Sequence, residues 1–418
     1  MKARFSLPLF VFVLFALCSS VSAQSGISNA RSVAMSGAFT GLARGVEAPA
    51  WNPANLALTA RRKYHLNLFS FGVGFHNNSF SKKQYDLYNG AFLTEQDKLD
   101  ILASIPSDGL RVDLGTEVQA MGISIGNFAL TASALGASDF SLSKDIVDLI
   151  LMGNDLNRTY DVGATSGQGF GVSSFAFSFA LPVKLAGFHR FAFGASGKYL
   201  LGLVYGEVKE ASSSVSTDID GVHGNGRVVI DRALGGNGLA FDFGVAAQLN
   251  ESWSMSLGVL NAVSSMKWNK STKRFIYTFR ADSVSAEKLQ DSDIDSVVVR
   301  SDQTIDIEPF HTTLPPQLRF GLARSTRHWT FDVDYTQGLK KVAGVSTRPR
   351  IAFGTELRLI PLLPLRAGIA SGGRRGLSSS AGFGLDFSAF SWDFALSSRG
   401  GLFSGRGLAV AFDWMFRF

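Results

Sequence analysis

The chain has 418 residues, with 35 Phe, 44 Gly and 18% charged residues, where a soluble domain usually carries about a quarter. Its formal charge of +6 is scattered, with no dense basic run, so the sequence holds no nucleic-acid signature. Cys18 is the only cysteine, and it falls in a segment expected to be removed, which leaves no thiol for a disulfide or a Cys-ligated metal.

At the start of the chain, Lys2 and Arg4 precede an apolar run over residues 7–17, and Val21-Ser22-Ala23 places small residues where a signal peptidase reads. The run is shorter than the roughly 20 residues of a helical span. Residues 1–23 are therefore expected to be a signal peptide cut before Gln24. Leu17 is not the small residue that lipidation of Cys18 requires. Taking Lys2 and Arg4 from +6 leaves +4 for the mature chain. No later segment has 18 consecutive apolar residues, so a mature chain that spans a membrane must do so as a closed barrel.

Residues 24–60 do not alternate like a strand. They are rich in small residues, with Ala34, Ala38 and Gly41 allowing close packing, and Asn52-Pro53 marks a turn. This composition fits a plug threaded into a lumen lined by Gly, Ala and Ser.

Strands follow. Phe175, Phe177, Phe179 and Leu181 alternate with Ser174, Ala176, Ser178 and Ala180; Leu239, Phe241, Phe243 and Val245 alternate with Asp242, Gly244 and Ala246. The clearest case is the C-terminus, where Leu408, Val410, Phe412, Trp414, Phe416 and Phe418 alternate with Ala409, Ala411, Asp413, Met415 and Arg417. A soluble sandwich also alternates, but its polar face is rich in Lys, Glu and Thr. Here the second face is Gly, Ala and Ser with sparse Asp, as in a barrel whose apolar face meets lipid. The expected fold is all-β, a transmembrane antiparallel barrel over residues 61–418.

The strands number fourteen: 64–76, 117–126, 128–136, 170–181, 188–204, 238–249, 253–262, 316–325, 329–338, 349–359, 365–371, 378–388, 391–398 and 407–418. Short connections alternate with long ones, which places both termini on the periplasmic side. Strand-like pieces at 273–281 and 296–307 would make sixteen if they enter the bilayer, and an outer hairpin if they do not. In the long loops, Thr94 to Asp97 resembles a capping box before Leu99, Ile101, Leu102 and Ile105. Ser143 caps a second helical stretch that Gly153 ends. These apolar faces either pack over the rim or form a groove for a greasy ligand.

By alternation Asp242, Asp332, Asp334, Glu356, Arg358, Asp386, Asp393, Asp413 and Arg417 face the lumen, where a charge needs a partner or water. Arg31, Arg44 and Glu47 of the plug are the expected partners. Phe412, Trp414, Phe416 and Phe418 form the closing strand's apolar edge. None of the six histidines sits in a catalytic motif, although His65 and Asn67 both have lumen parity. No metal-ligand spacing occurs. Asp291, Asp293 and Asp295 lack the glycine turn and closing Glu of a calcium loop; with Asp220 and Asp231 they read as acidic, mobile outer loop. No cofactor is expected.

Ala30-Arg31-Ser32-Val33-Ala34-Met35-Ser36-Gly37-Ala38, followed by Trp51-Asn52-Pro53-Ala54, resembles the N-terminal hatch of FadL-like outer-membrane transporters and their PorV-like relatives. Ser36 stands where that group usually has a glycine. The resemblance implies a monomeric fourteen-stranded barrel in the Gram-negative outer membrane. It also implies a luminal plug in which Arg31, Met35, Gly37, Trp51, Asn52 and Pro53 serve gating, and a terminal aromatic read by the barrel-assembly machinery. For transporters of the group it implies passive uptake of fatty-acid-like hydrophobic molecules, with membrane lipid and such a ligand as partners. For the PorV-like relatives it implies binding of secreted proteins or support of an envelope complex.

Overall fold

The computed structural model describes residues 26–418, except 60–63, 164, 285–297, 343–344, 375 and 400–404. The signal peptide, the Gln24 cleavage site, Cys18 and the Asp291, Asp293 and Asp295 stretch lie outside the described residues.

Among the described residues, nineteen strands form one sheet. They are β1 (Tyr64–Asn77), β2 (Leu110–Ile125), β3 (Phe128–Leu142), β4 (Thr159–Asp161), β5 (Ser166–Val183), β6 (Arg190–Asp218), β7 (Gly221–Ala233), β8 (Gly236–Gln248), β9 (Trp253–Trp268) and β10 (Lys273–Val284). The rest are β11 (Val298–Asp306), β12 (Phe310–Thr312), β13 (Gln317–Ser325), β14 (Trp329–Gly338), β15 (Arg350–Ile360), β16 (Leu363–Gly372), β17 (Ser378–Asp386), β18 (Phe390–Arg399) and β19 (Gly407–Arg417).

Fourteen of them close a ring through antiparallel pairs. The order is β1, β2, β3, β5, β6, β8, β9, then β13 through β19, with β19 back on β1 from His65 and Arg417 to His76 and Gly407. Closure leaves neither terminal strand with an unpaired edge. Alternation sorts the side chains: Phe177 and Phe243 are half exposed, at 50% and 49%, while their neighbours Ser178 and Asp242 are at 0%. A ring whose outward face is Phe, Leu and Val is a transmembrane barrel; no described helix is long and apolar enough to cross a membrane. At one end, the turn end, strands join by short connections such as Gly126-Asn127, and Tyr64 pairs with Phe418. The opposite, loop end carries everything else.

The choice between fourteen and sixteen strands is decided at the loop end. β10 and β11 do form, but they pair with β7 and with each other rather than entering the ring. The 29-residue β6 crosses the ring on β8 and then continues past it to pair with β7. Residues 205–237, expected as loop, are thus a strand extension and a hairpin. Inter-strand pairing continues wherever backbone donors meet acceptors, with or without lipid alongside. Asp231, expected in mobile loop, sits in β7 and pairs with Arg274 at 2.6 Å.

The loop helices are α2 (Lys82–Tyr88), α3 (Glu95–Ser104) and α4 (Lys144–Met152), following α1 (Ala30–Ala34) in the N-terminal segment. Thr94 and Asp97 form the capping box of α3, Ser143 caps α4 and Gly153 ends it at φ 83°. α2 was not anticipated; Ser81 and Gln84 give it a capping box of its own.

Candidate functional site

Residues 26–58 lie against the inward faces of the barrel strands. The wall makes room with glycines. A Cβ on Gly72 would meet the Ile27 carbonyl, one on Gly194 the Ala54 amide, one on Gly244 the Asn52 side chain, and one on Gly368 the Met35 backbone. The segment is short turns: α1, capped by Asn29, and two 3-10 turns, Gly45–Ala50 and Pro53–Leu58. Such turns leave N–H groups free, and inward carboxylates of the wall accept them. Glu117 accepts from Gly26 and Ser28 (2.6 and 3.2 Å), Asp413 from Ala30 (2.8 Å), Asp334 from Phe39 and Thr40 (3.1 and 2.9 Å), and Asp332 from Gly41 (3.2 Å).

Of the expected plug cations, Arg31 bridges Glu47 and the wall's Glu356, both at 3.4 Å. Arg44 donates to its own segment's carbonyls, Gly41 and Ala43, not to a wall carboxylate. The expected side-chain pairing of segment to wall thus holds at Arg31 and is corrected at Arg44: Glu117, Asp332, Asp334 and Asp413 accept backbone N–H instead, because the glycine wall lets the chain approach closely. Met35 is fully buried; Trp51 packs edge-on against Phe39 at 5.1 Å with Arg319 over its face. Ser36 (φ 53°) and Gly37 (φ 85°) are both left-handed, so the serine occupies backbone that favours glycine. Its hydroxyl bonds to Ser380, 2.6 Å away.

The remaining expected luminal charges form a chain toward the turn end. Arg366, buried at 1% exposure, holds Glu356 (2.6 Å) and Asp393 (2.5 Å); Arg358 links Glu356 (2.7 Å) to Asp386 (3.1 Å); Arg417 reaches Asp386 (3.3 Å). Asp242 pairs with Lys198 at 2.7 Å. Sequence reasoning missed Arg366, Lys198, Arg319 and Glu117. All four have inward parity on their strands, which alternation alone could have flagged.

Asn52 marks a distinctive stretch of wall. Its amide donates to the carbonyls of Val245 (2.9 Å) and Leu257 (3.0 Å) and to Ser256 (2.6 Å), while its oxygen caps Ala54. Just beyond, the β8–β9 register shifts between Phe241 and Phe243 around Asn261 (φ 50°). The β9–β13 ladder stops at Leu260 and Gln317, and β9 resumes pairing only with β12 at Met266 and Thr312. Residues 261–265 and 313–316 are joined by side chains instead, Asn261 to Pro315 and Ser264 to Leu314, both at 3.3 Å.

The loop end holds two cavities. One, of about 640 Å³, lies between α2 and the rims of β1, β2 and β19, lined by Phe75, Phe80, Tyr85, Tyr88, Ile101, Val147 and Leu408. Phe75 and Leu408 belong to the lipid-facing stripe, so the groove continues it. The other, of about 700 Å³, is lined by Tyr205, Trp268 and Phe310 with charged residues such as Glu207, Arg274 and Lys340. Between them Arg374 reaches from the β16–β17 loop to Asp139 and Asp113 of β3 and β2. Phe412 packs on Phe69 and Phe71, Phe416 on Phe390 and Phe418, and Trp414 is exposed, all on the outward face of the closing strand.

Residues 53–230 match a family described only as a family of unknown function (DUF5723). No curated protein sequence matches the chain. Among solved structures, the chain is similar to the Ralstonia pickettii toluene transporter TbuX (15% identity, TM-score 0.51, 95% of this chain and 99% of that one). It is similar also to a Pseudomonas aeruginosa FadL homologue (12%, 0.53, 96% and 100%) and to the Pseudomonas putida toluene transporter TodX (11%, 0.50, 95% and 98%). At these identities the likeness is one of fold: the chain has the FadL-type barrel, in the strand number that its resemblance to that group implied.

Proposed function

We propose that this barrel admits hydrophobic small molecules passively across the outer membrane, with the loop end outside and both termini periplasmic. The observation that carries this reading is the 640 Å³ groove, an aromatic and aliphatic cleft continuous with the lipid-facing stripe at Phe75 and Leu408. An apolar solute gains about 25 cal/mol for each Å² it buries there. Toluene transporters and a FadL homologue share the fold, and a fatty-acid-like chain or a small aromatic hydrocarbon suits the groove. From the groove the solute enters the lumen, which residues 26–58 plug. It leaves after the Asn52-Pro53 turn withdraws from β8 and β9, next to the ladder break.

The test is mass spectrometry of lipids and hydrophobes copurified with the barrel, alongside a Tyr88→Arg/Val147→Arg variant. Bound hydrophobe in the parent and loss in the variant are expected; equal content in both would overturn the reading. A second reading, a PorV-like barrel that docks a secreted protein, is favoured by one feature: Phe92 is 95% exposed and Tyr85, Leu87 and Ile150 are also bared on the loop helices. A stable protein complex that Phe92→Ser abolishes, with no copurified hydrophobe, would decide for it.

A further inference from the structure

We propose that a basic rim at the base of the loop-end extension, made by Arg232, Lys267, Lys270 and Lys273, binds the phosphates of a lipid in the adjoining leaflet. It rests on the orientation above only for naming that leaflet the outer one.

Alternation places the rim on the outside of the wall. In β9, Met266 and Trp268 are buried inward, so Lys267 between them points out. In β7, Asp231 turns inward to Arg274, so Arg232 turns out, where its guanidinium lies 5.6 Å from the Phe275 ring. Lys273 is the register partner of Arg232. Lys270 joins them through the adjoining turns: its amide nitrogen meets the Gly235 carbonyl and its carbonyl oxygen accepts from Leu234.

The rim also sits at the top of the lipid-facing band. Asn237 pairs with Lys267, and two residues below on the same faces are Leu239, 52% exposed, paired with Ser265, followed by Phe241 paired with Val263, 63% exposed. Two residues of strand are about 7 Å, the step from acyl chain to headgroup. Long cationic side chains at that height keep their stems on apolar surface and their charge at the interface.

The charges are available. Asp231 and Glu207, the nearest carboxylates on the inward side, are taken by Arg274 and Lys209. On the outward side Asp306 lies cross-strand from Lys273. The Arg232 Nε is buried with no hydrogen-bond partner, a donor suited to a phosphate oxygen. Four cations beside Asp306, an arginine with a spare donor and a lipid-facing stripe directly below fit a phosphorylated headgroup better than a soluble protein.

The experiment uses the full-length mature barrel in nanodiscs of neutral lipid doped with diphosphoryl lipid A or with the same lipid stripped of phosphate, read by native mass spectrometry. Retention of the phosphorylated form at least tenfold over the stripped form is expected. That preference should fall at least fivefold in Lys267→Gln/Lys270→Gln/Lys273→Gln and in Arg232→Gln, and stay in Lys82→Gln/Lys83→Gln at the far rim. Heat-modified gel mobility confirms that each variant is folded. Equal retention of the two lipids, or an unchanged preference in both rim variants, would overturn the proposal. So would full displacement of the lipid by equimolar inorganic pyrophosphate, which would make the rim a free-phosphate site. Absence of copurified hydrophobe from the parent barrel, with the lipid preference intact, would count against the transport reading alone.

Discussion

The wall around residues 26–58 and the wall of the loop end are made from the same kind of strand and are put to different ends. In the first, glycines and inward carboxylates bring backbone against backbone, and charges such as Arg366 are almost fully enclosed. In the second, β6 runs past the ring to join β7, β10 and β11 outside it, aromatic rings line open cavities, and ion pairs such as Arg227–Glu210 stand half in water. The comparison teaches that dielectric, not residue type, fixes what a charge contributes: an enclosed pair must be complete, whereas an exposed one hardly matters.

The largest test takes one arginine from each region. Arg366→Met strands Asp393 inside the barrel, while Arg31 and Arg358 still hold Glu356, and should cost about 3–5 kcal/mol in urea unfolding of the refolded barrel. Arg227→Met, whose pair with Glu210 is 45% and 47% exposed, should cost under about 1 kcal/mol. Similar losses would erase the distinction.

Outward aromatics sharpen the same contrast. Phe243→Arg, on the lipid face, should cost about 2–4 kcal/mol near the midplane, while Phe275→Arg, above the bilayer, should cost under about 1 kcal/mol. An equally large loss at Phe275 would place β10 within lipid.

Asn52→Ala probes the seam between segment and wall. It leaves the Val245 and Leu257 carbonyls without the donor they share and should cost about 1–3 kcal/mol. It should also raise leakage of a small hydrophilic dye from proteoliposomes; a destabilised but tight barrel would mean that Asn52 holds the wall and not the plug.

The smallest expected effect is at the turn end. The Phe418 side chain is 63% exposed and stacks on Phe416, so Phe418→Ala, which keeps the backbone bonds to Tyr64, should change refolded stability by less than about 0.5 kcal/mol. If the residue also addresses the assembly machinery, the amount assembled in cells should fall sharply; unchanged assembly would leave it a girdle residue.

Much of this was legible in the residues. Fourteen strands, their lipid-facing side and the caps at Thr94 and Ser143 follow from period and local hydrogen bonding, which neighbouring residues determine by themselves. Inward parity picked out Asp242, Asp332, Asp334, Glu356, Asp393 and Asp413 for the same reason. What those carboxylates bind was decided only by closure. Ala30 and Asp413 are 383 residues apart, and no pattern in either segment records that a glycine wall brings an amide to that oxygen instead of the guanidinium of Arg44. Likewise, the strand character of residues 273–284 is local, but whether they join the ring depends on β9 finding β13 first. Covalent geometry sets which way a side chain points; only the folded ring sets what it meets there.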